Sequence, residues 1–266
     1  MEDTFRYILT LDEAKKVCPE SSWVRITTIT MIAKFERDIN LAAFREAFRP
    51  VKIRAKGSRS DGFSWTMKPT SFYNQVTIQT RDQYSNKSVK LFPNGSVQVA
   101  GCSDLFDCRR IARVVSFIVS RTLGGETNSI PLDTISVKMI NTNFSLNWSV
   151  NLNKVIQFFA ARPSEFQVTF DPDRYSAVKV KFSPGPDMKR VTASIFSTGK
   201  IIVTGAQTLK EIALAYRTLN VSLQGVRIAP SLKKDSFEVI LGHKFDQWIP
   251  VLQKRFSPWS FFPVQE

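Results

Sequence analysis

The side chains that most often carry catalysis or hold metal ions are sparse in this sequence. Cys18, Cys102 and Cys108 form an odd set without a Cys-x-x-Cys spacing, which favours reduced thiols inside a cell. The single histidine, His243, has no carboxylate at a useful spacing. The sequence contains no phosphate-cradling glycine loop, nucleophile elbow or His-Glu-x-x-His motif. We therefore expect no catalytic residue, no metal, no cofactor and no small-molecule substrate.

Charge indicates a binding partner rather than a reaction. The formal net charge of the 266 residues is +14, which favours an anionic partner such as nucleic acid or a membrane surface. No run of 18 apolar residues could span a bilayer. The acidic and polar start, MEDTFRYILT, lacks the pattern of a secretion signal. We expect a protein that stays inside the cell and has no membrane partner.

One sequence motif, here called the phrase, occurs twice in the chain. Residues 89–102 read VKLFPNGSVQVAGC and residues 192–206 read TASIFSTGKIIVTGA, so that Phe92 aligns with Phe196, 104 positions later. An offset this long is far from the short periods of solenoid repeats and indicates two halves of roughly 100 residues. The sequence therefore predicts a two-fold internal duplication.

Both halves predict the same order of elements: a strand, a short helix, three strands and a long helix. In the first half these lie at 24–33, 40–48, 73–80, 88–92, 96–100 and 103–123, with Ser103 as the helix N-cap. In the second half they lie at 135–143, 151–161, 175–182, 191–196, 201–204 and 208–223. The predicted organisation is an N-terminal extension (1–20), a first repeat (21–124), a connector (125–134), a second repeat (135–224) and a C-terminal extension (225–266).

The second copy, SIFSTGKIIVTGAQTLKEI, resembles the TATA-box-binding protein (TBP) family, whose core carries an IF-SGK-V-TGA phrase in each half. The similarity extends over residues 22–224 and is stronger in the second half. It implies an α+β fold in the form of a two-fold pseudo-symmetric saddle, with a curved antiparallel sheet and helices on the convex face. The resemblance also implies that the concave face binds double-stranded DNA in the minor groove and bends it. A large DNA virus is a natural source for so divergent a copy, which would place it in the host nucleus or a cytoplasmic viral factory.

Aromatic wedges are the first residues that the resemblance assigns. Family members insert pairs of phenylalanines between base steps, because a flat apolar ring replaces lost stacking while opening the step. Phe92 and Phe196 stand before the turn of each phrase. Their partners would be Tyr175, within DPDRYSA, and either Phe72 or Tyr73, within KPTSFYN.

The floor of the DNA-binding face is assigned in the same way to alternating residues of two strands in each half. Ile202 and Thr204 keep the family's V-x-T pattern, whereas Gln98 and Ala100 replace it in the first half. The matching first-strand positions are Thr28, Thr30, Met139 and Asn141. Because the minor groove mainly distinguishes A·T from G·C, these departures leave the preferred DNA motif open.

Cations beside this face are candidates for phosphate contacts. They are Lys200, Lys179, Lys181 and Arg81. A further basic run, expected to lie in a loop, comprises Arg49, Lys52, Arg54, Lys56 and Arg59.

Partners and function follow from the same resemblance. Asp171 and Asp173 resemble the family's acidic Glu-Pro-Glu stretch, which engages transcription factor IIB, so a IIB-like protein and the RNA polymerase machinery are expected partners. The favoured function is a sequence-selective, DNA-bending transcription initiation factor without enzymatic activity. Two alternatives are an accessory domain of a DNA-processing complex, which would show a catalytic constellation, and a basic architectural protein that coats DNA with little sequence preference.

Overall fold

The structure, a computed structural model, describes residues 2–54, 61–69, 72–82, 86–124 and 129–228. The chain divides into a unit at Met1–Arg227 and a second unit at Ile228–Glu266. The fold described below is that of the first unit. His243, with nearly all of the predicted C-terminal extension, lies outside the described residues, as do Lys56 and Arg59.

A single 11-stranded antiparallel sheet organises the first unit. The first repeat contains β1 (Arg25–Lys34), α2 (Leu41–Ala47), β2 (Val51–Arg54), β3 (Asp61–Lys68), β4 (Val76–Arg81), β5 (Asn86–Leu91), β6 (Ser96–Cys102) and α3 (Leu105–Leu123), and α1 (Glu2–Val17) precedes it. The second contains β7 (Ser136–Ser145), α4 (Leu152–Ala160), β8 (Phe166–Asp171), β9 (Tyr175–Phe182), β10 (Val191–Phe196), β11 (Lys200–Ala206) and α5 (Leu209–Leu223). Short 3-10 turns at Leu132–Thr134 and Gln224–Val226 complete the described elements.

The strand order reflects the duplication. It runs β2-β3-β4-β5-β6-β1-β7-β11-β10-β9-β8, so the first strands of the two repeats, β1 and β7, pair at the centre. The α+β class and the antiparallel sheet predicted from the resemblance are confirmed. Among the described helices, none is long and apolar enough to cross a membrane.

Strand alternation separates the two faces of the sheet. In β4, Val76 and Ile78 are fully buried, while Thr77 and Gln79 on the other face are half-buried. The buried face packs against the helices, which contribute residues such as Ile111 from α3. Fully burying one such aliphatic side chain stabilises a fold by about 1.5–3 kcal/mol, so this face carries the hydrophobic core and leaves the other face free.

Helix ends follow local hydrogen-bonding chemistry. The predicted N-cap of α3, Ser103, is wrong by one residue, because Asp104 is the extended residue whose carboxylate accepts from the Asp107 backbone N–H at 2.7 Å. The Ser103 hydroxyl instead donates to the Asp104 carboxylate at 3.1 Å. In α5, Thr208 and Glu211 form a complete capping box.

Several elements were not predicted: α1, β2, β3 and β8. The basic run is corrected at residues 51–54, which form an edge strand and not a loop. Val51 and Ile53 alternate there with Lys52 and Arg54, so the apolar pair faces the helices. The other predicted elements are confirmed to within a few residues.

The turn of each repeated phrase contains a glycine with positive φ, which is +76° at Gly95 and +79° at Gly199. A β-carbon on Gly95 would lie 2.6 Å from the backbone oxygen of Arg37, and one on Gly199 would clash with the backbone oxygen of Trp148. We expect Gly199→Ala to lower the free energy of unfolding by about 2–4 kcal/mol, because strain and a backbone clash combine. Urea denaturation measures this loss.

The matched control for this prediction is Gly225→Ala. A β-carbon there would meet no atom within 4 Å, and the expected change is within about 0.5 kcal/mol. Equal effects of the two substitutions would contradict the assigned role of the Gly199 turn.

Candidate nucleic-acid interface

The eight predicted floor residues lie on four adjacent strands at the centre of the sheet, β6, β1, β7 and β11. Strand pairing sets Thr30 opposite Ala100 and Met139, and Thr28 opposite Asn141. Gln98, Ile202 and Thr204 continue the same face on the outer two of these strands. The structure therefore brings these residues together into one surface.

A side-chain hydrogen bond links the two repeats at this centre. The Asn141 amide nitrogen donates to the Thr28 hydroxyl oxygen at 3.0 Å. The Thr27 hydroxyl donates to the backbone oxygen of Asn141, also at 3.0 Å. Two predicted floor residues from different halves are thus held in a fixed relation.

Outside the centre, the helix-free face carries hydroxyl, amide and cationic side chains. Strand pairing identifies them in the first repeat as Thr66, Lys68, Thr77, Gln79, Ser88 and Lys90. In the second repeat they are Gln167, Thr169, Lys179, Lys181, Thr192 and Ser194. These positions carry no carboxylate, whereas Asp171, which pairs with Tyr175 at the outer end of β8, is an acidic residue that follows the same alternation. The surface inside that end therefore suits a polyanion that also accepts hydrogen bonds.

The cations predicted for phosphate contact are differently placed in the two repeats. Lys179 and Lys181 are exposed on β9, and Lys200 is exposed at the start of β11. Arg81 is exposed at the end of β4. In the first repeat a lysine that the sequence reasoning missed, Lys90, lies one strand nearer the centre, opposite Gln98.

Lys68 is a second missed cation of the first repeat, exposed and opposite Thr77. The alternation of β3 and β5 is the sequence signal that could have identified both lysines. For Lys68 this signal is hidden because β3 is not among the predicted strands, whereas Lys90 lies within the strand predicted at 88–92.

At the outer end of the second repeat, the structure brings Tyr175 and Phe196 together. Their ring centroids lie 5.6 Å apart in an edge-to-face arrangement of 69°. The Lys179 ammonium lies 5.0 Å from the Tyr175 ring centroid, which places a cation directly beside the pair. Phe196 also begins the glycine turn, since its backbone oxygen accepts from the Gly199 N–H at 2.9 Å.

The first repeat presents its aromatic side chains differently. Phe92 is half-buried before its turn, while Phe72 is 62% and Tyr73 is 88% exposed in the loop between β3 and β4. Arg45 of α2 fixes this loop, because its guanidinium donates to the backbone oxygens of Tyr73 at 2.8 Å and Gln75 at 3.1 Å. Which of Phe72 and Tyr73 acts as the wedge stays open.

The acidic residues predicted to engage a partner lie at the tip of the β8–β9 turn. Asp171 and Asp173 are both exposed. Asp171 pairs with Arg174 at 3.6 Å, but both side chains are exposed, so the pair contributes little stability and leaves the turn accessible. Within the described part of the chain, no group of three or more His, Cys, Asp or Glu residues could hold a metal ion.

The duplicated sheet, with helices on one face and a polar, cationic surface on the other, defines a saddle of the TBP type. Comparison with known proteins agrees. Residues 134–226 match the family model described as transcription factor TFIID, or TATA-binding protein. The solved structure of Methanococcus jannaschii TBP aligns with a TM-score of 0.55, covering 76% of this chain and 99% of that chain at 14% identity, which concerns the fold alone.

Two curated relatives carry the likeness in sequence. A TATA-box-binding protein-like protein of Acanthamoeba polyphaga mimivirus is 26% identical over 243 residues, covering 77% of this chain and 65% of that protein. TATA box-binding protein-like 1 of Caenorhabditis elegans is 29% identical over 124 residues, covering 47% of this chain and 23% of that protein. The chain thus spans less than two thirds of either relative. It is similar to TBP-like proteins in sequence and shares the TBP fold.

Proposed function

We propose that this protein is a transcription initiation factor that binds promoter DNA in the minor groove, bends it and recruits the transcription machinery. One observation carries the proposal: aromatic side chains stand beside strand ends in both repeats of a helix-free sheet face, and this face holds mainly hydroxyl, amide and cationic groups. The likeness to TBP supports DNA as the ligand.

Different parts of the sheet face would make different contacts with DNA. Rings inserted at the two ends unstack base steps at a cost of a few kcal/mol, which is offset by the larger surface that bent DNA presents to the sheet. Lysines beside the face neutralise phosphates and make binding strongly dependent on salt. The floor reads groove shape and the few donors and acceptors of the minor groove.

The proposal also covers the protein partners and the cellular location. The exposed turn with Asp171 and Asp173 would engage a protein like transcription factor IIB, and through it RNA polymerase. The likeness to a mimivirus protein supports an origin in a large DNA virus and activity in the host nucleus or a viral factory. No enzymatic step is proposed.

Selection of bound sequences from a random duplex pool tests the proposal. We expect enrichment of a short A·T-rich motif that contains T-A steps, because these steps kink easily and A·T pairs leave the minor groove without the guanine amino group. A pool without any enriched motif would contradict selective binding and favour the architectural, DNA-coating alternative. Salt dependence cannot separate the two, since phosphate contacts dominate both.

Arg45 gives a prediction about the first-repeat loop. Arg45→Ala removes the donor to the Tyr73 and Gln75 backbone oxygens, each bond worth about 1 kcal/mol. We expect faster amide hydrogen exchange within residues 72–75 and an affinity for the selected duplex about 5- to 10-fold weaker, since the aromatic loop is no longer positioned.

Arg217→Ala is the matched control, because it removes an exposed arginine from α5 with the same change in charge. If the two variants lose affinity equally, Arg45 acts only through its charge and the positioning role is wrong.

A further inference from the structure

The first repeat has an edge strand that the second repeat lacks. β2 extends the sheet beyond β3, whereas the second repeat ends at β8. Phe166 of β8 is buried, with its ring 4.8 Å from that of Phe159 in α4. On β2, by contrast, Ile53 is 55% exposed on the helix-facing side. The added strand therefore leaves an apolar surface that helices cover only in part.

This surface is one side of a groove, here called the edge groove, with a cavity volume of about 390 Å³. Its floor is formed by Val51 and Ile53 of β2 and Phe63 of β3, and its wall by Phe117 of α3. Phe117 is 55% exposed although its ring approaches that of Trp65, 6.2 Å away. Large apolar side chains exposed together in a groove are typical of a protein-binding site.

Two cations stand at the rim of the edge groove. Arg113 and Arg121 of α3 line it and are exposed. Neither forms an ion pair with another described residue, in contrast to Arg110 on the same helix, which contacts the carboxylates of Asp82 and Asp107. Eight residues along a helix span about 12 Å, so the two guanidinium groups arise from positions that far apart.

We propose that the edge groove binds an acidic, amphipathic segment of a partner protein. Aliphatic or aromatic side chains of this segment fill the floor beside Ile53 and Phe117, and carboxylates roughly 12 Å apart pair with Arg113 and Arg121. The groove lies on the helix side of the sheet, opposite the face proposed for DNA. Both partners can therefore bind at the same time, and this inference goes beyond the proposed function.

The test uses a displayed library of random 16-residue peptides, selected on the full chain. We expect the recovered peptides to be enriched in Asp and Glu together with Leu, Phe and Trp. Fluorescence anisotropy of a recovered peptide then measures affinity for variants of the groove. We expect Phe117→Ala and Arg113→Glu/Arg121→Glu each to weaken binding at least about 10-fold, as loss of an anchor or of charge pairing requires.

Arg217→Glu on α5 is the control for charge reversal, and it is expected to leave peptide binding unchanged. Three outcomes would overturn the proposal. The first is a recovered pool without acidic and apolar enrichment, or peptides whose affinity the groove variants do not change. The second is a dimer in sedimentation that Phe117→Ala dissociates, which would make a second copy the occupant. The third is a loss of DNA-binding free energy in Arg113→Glu/Arg121→Glu more than twice that in Arg217→Glu, which reverses half as many charges; such a loss would make DNA the ligand.

The two proposals fail separately. Loss of peptide binding with intact DNA bending contradicts the edge groove alone. An unbent duplex with intact peptide binding contradicts only the proposed function.

Discussion

A duplex that carries a FRET pair at its ends is expected to bend on binding the wild-type chain and to stay straight with Phe92→Ala/Phe196→Ala. Both rings stand before the turns of the repeated phrase, one in each repeat, on either side of the central strands β1 and β7. Removing them deletes the groups that replace stacking at an opened base step. The double variant keeps the cations that attract the phosphates, so it still binds the duplex. We expect its affinity to fall by about 10-fold, while the bend is lost entirely.

Single variants resolve the two ends. Phe196→Ala leaves Tyr175 without the ring that it contacts at 5.6 Å, and we expect it to remove the kink at one end only. Phe106→Ala is the matched control, because this ring is 82% exposed at the start of α3, on the helix side of the sheet. A straight duplex with the wild-type chain, or a bend that survives the double variant, would contradict the proposed mechanism.

The largest expected loss of stability follows from Lys87→Met. Lys87 is 1% exposed, and its ammonium lies 3.3 Å from the Asp82 carboxylate and 3.2 Å from that of Asp107. Methionine keeps the apolar stem but removes the ammonium, so two nearly buried carboxylates lose a cationic partner that they share, while the Arg110 guanidinium remains beside them. Breaking a buried ion pair costs about 3–5 kcal/mol, and urea denaturation at neutral pH should show a loss of that size.

Acid conditions should reduce this loss. Burial alone would raise the pKa of Asp107, but the Ser103 N–H, Arg110 and Lys87 outweigh it and hold that pKa below its ordinary value. A depressed carboxyl pKa gives stability that is present above the unfolded-state pKa, about 3.9, and lost as the pH falls through the folded-state pKa. The difference between wild type and Lys87→Met should therefore shrink when both are denatured at a pH below 3.9.

Lys16→Met controls for the substitution itself. Its ion pair with Asp12 is exposed, with 75% and 45% of the two side chains accessible, so the expected loss is below about 1 kcal/mol. Equal losses at Lys16 and Lys87, or a loss at Lys87 that does not vary with pH, would show that the buried network does not act as described.

Much of the fold was predictable from local patterns, because those patterns are repeated. The phrase occurs twice, and each copy predicts two strands joined by a glycine turn. Both copies form this structure. The predicted floor residues lie together because alternation and antiparallel pairing place such positions on one face. Their roles in DNA binding remain predictions.

The elements that the sequence does not predict lie where no repeated pattern helps. β2 has only four residues in a run rich in Lys and Arg, and its alternation is too short to be distinguished from a loop by sequence alone. The N-terminal segment is predicted as an extension outside the repeats, yet it forms α1, which packs against α5 from the far end of the chain. The latter helix also holds Ser21, whose hydroxyl donates to the Asn220 side-chain oxygen at 2.6 Å.

The duplication, the paired turns and the faces of the strands follow from the amino-acid sequence alone, because these depend on residues that are neighbours or that alternate along the chain. Folding is what makes Lys87 a buried ion-pair partner, lets Arg45 hold the aromatic loop and opens a groove between an added strand and α3. Each of these joins residues distant in sequence, and the cost of burying a charge or exposing a ring is set by the neighbours that folding brings together.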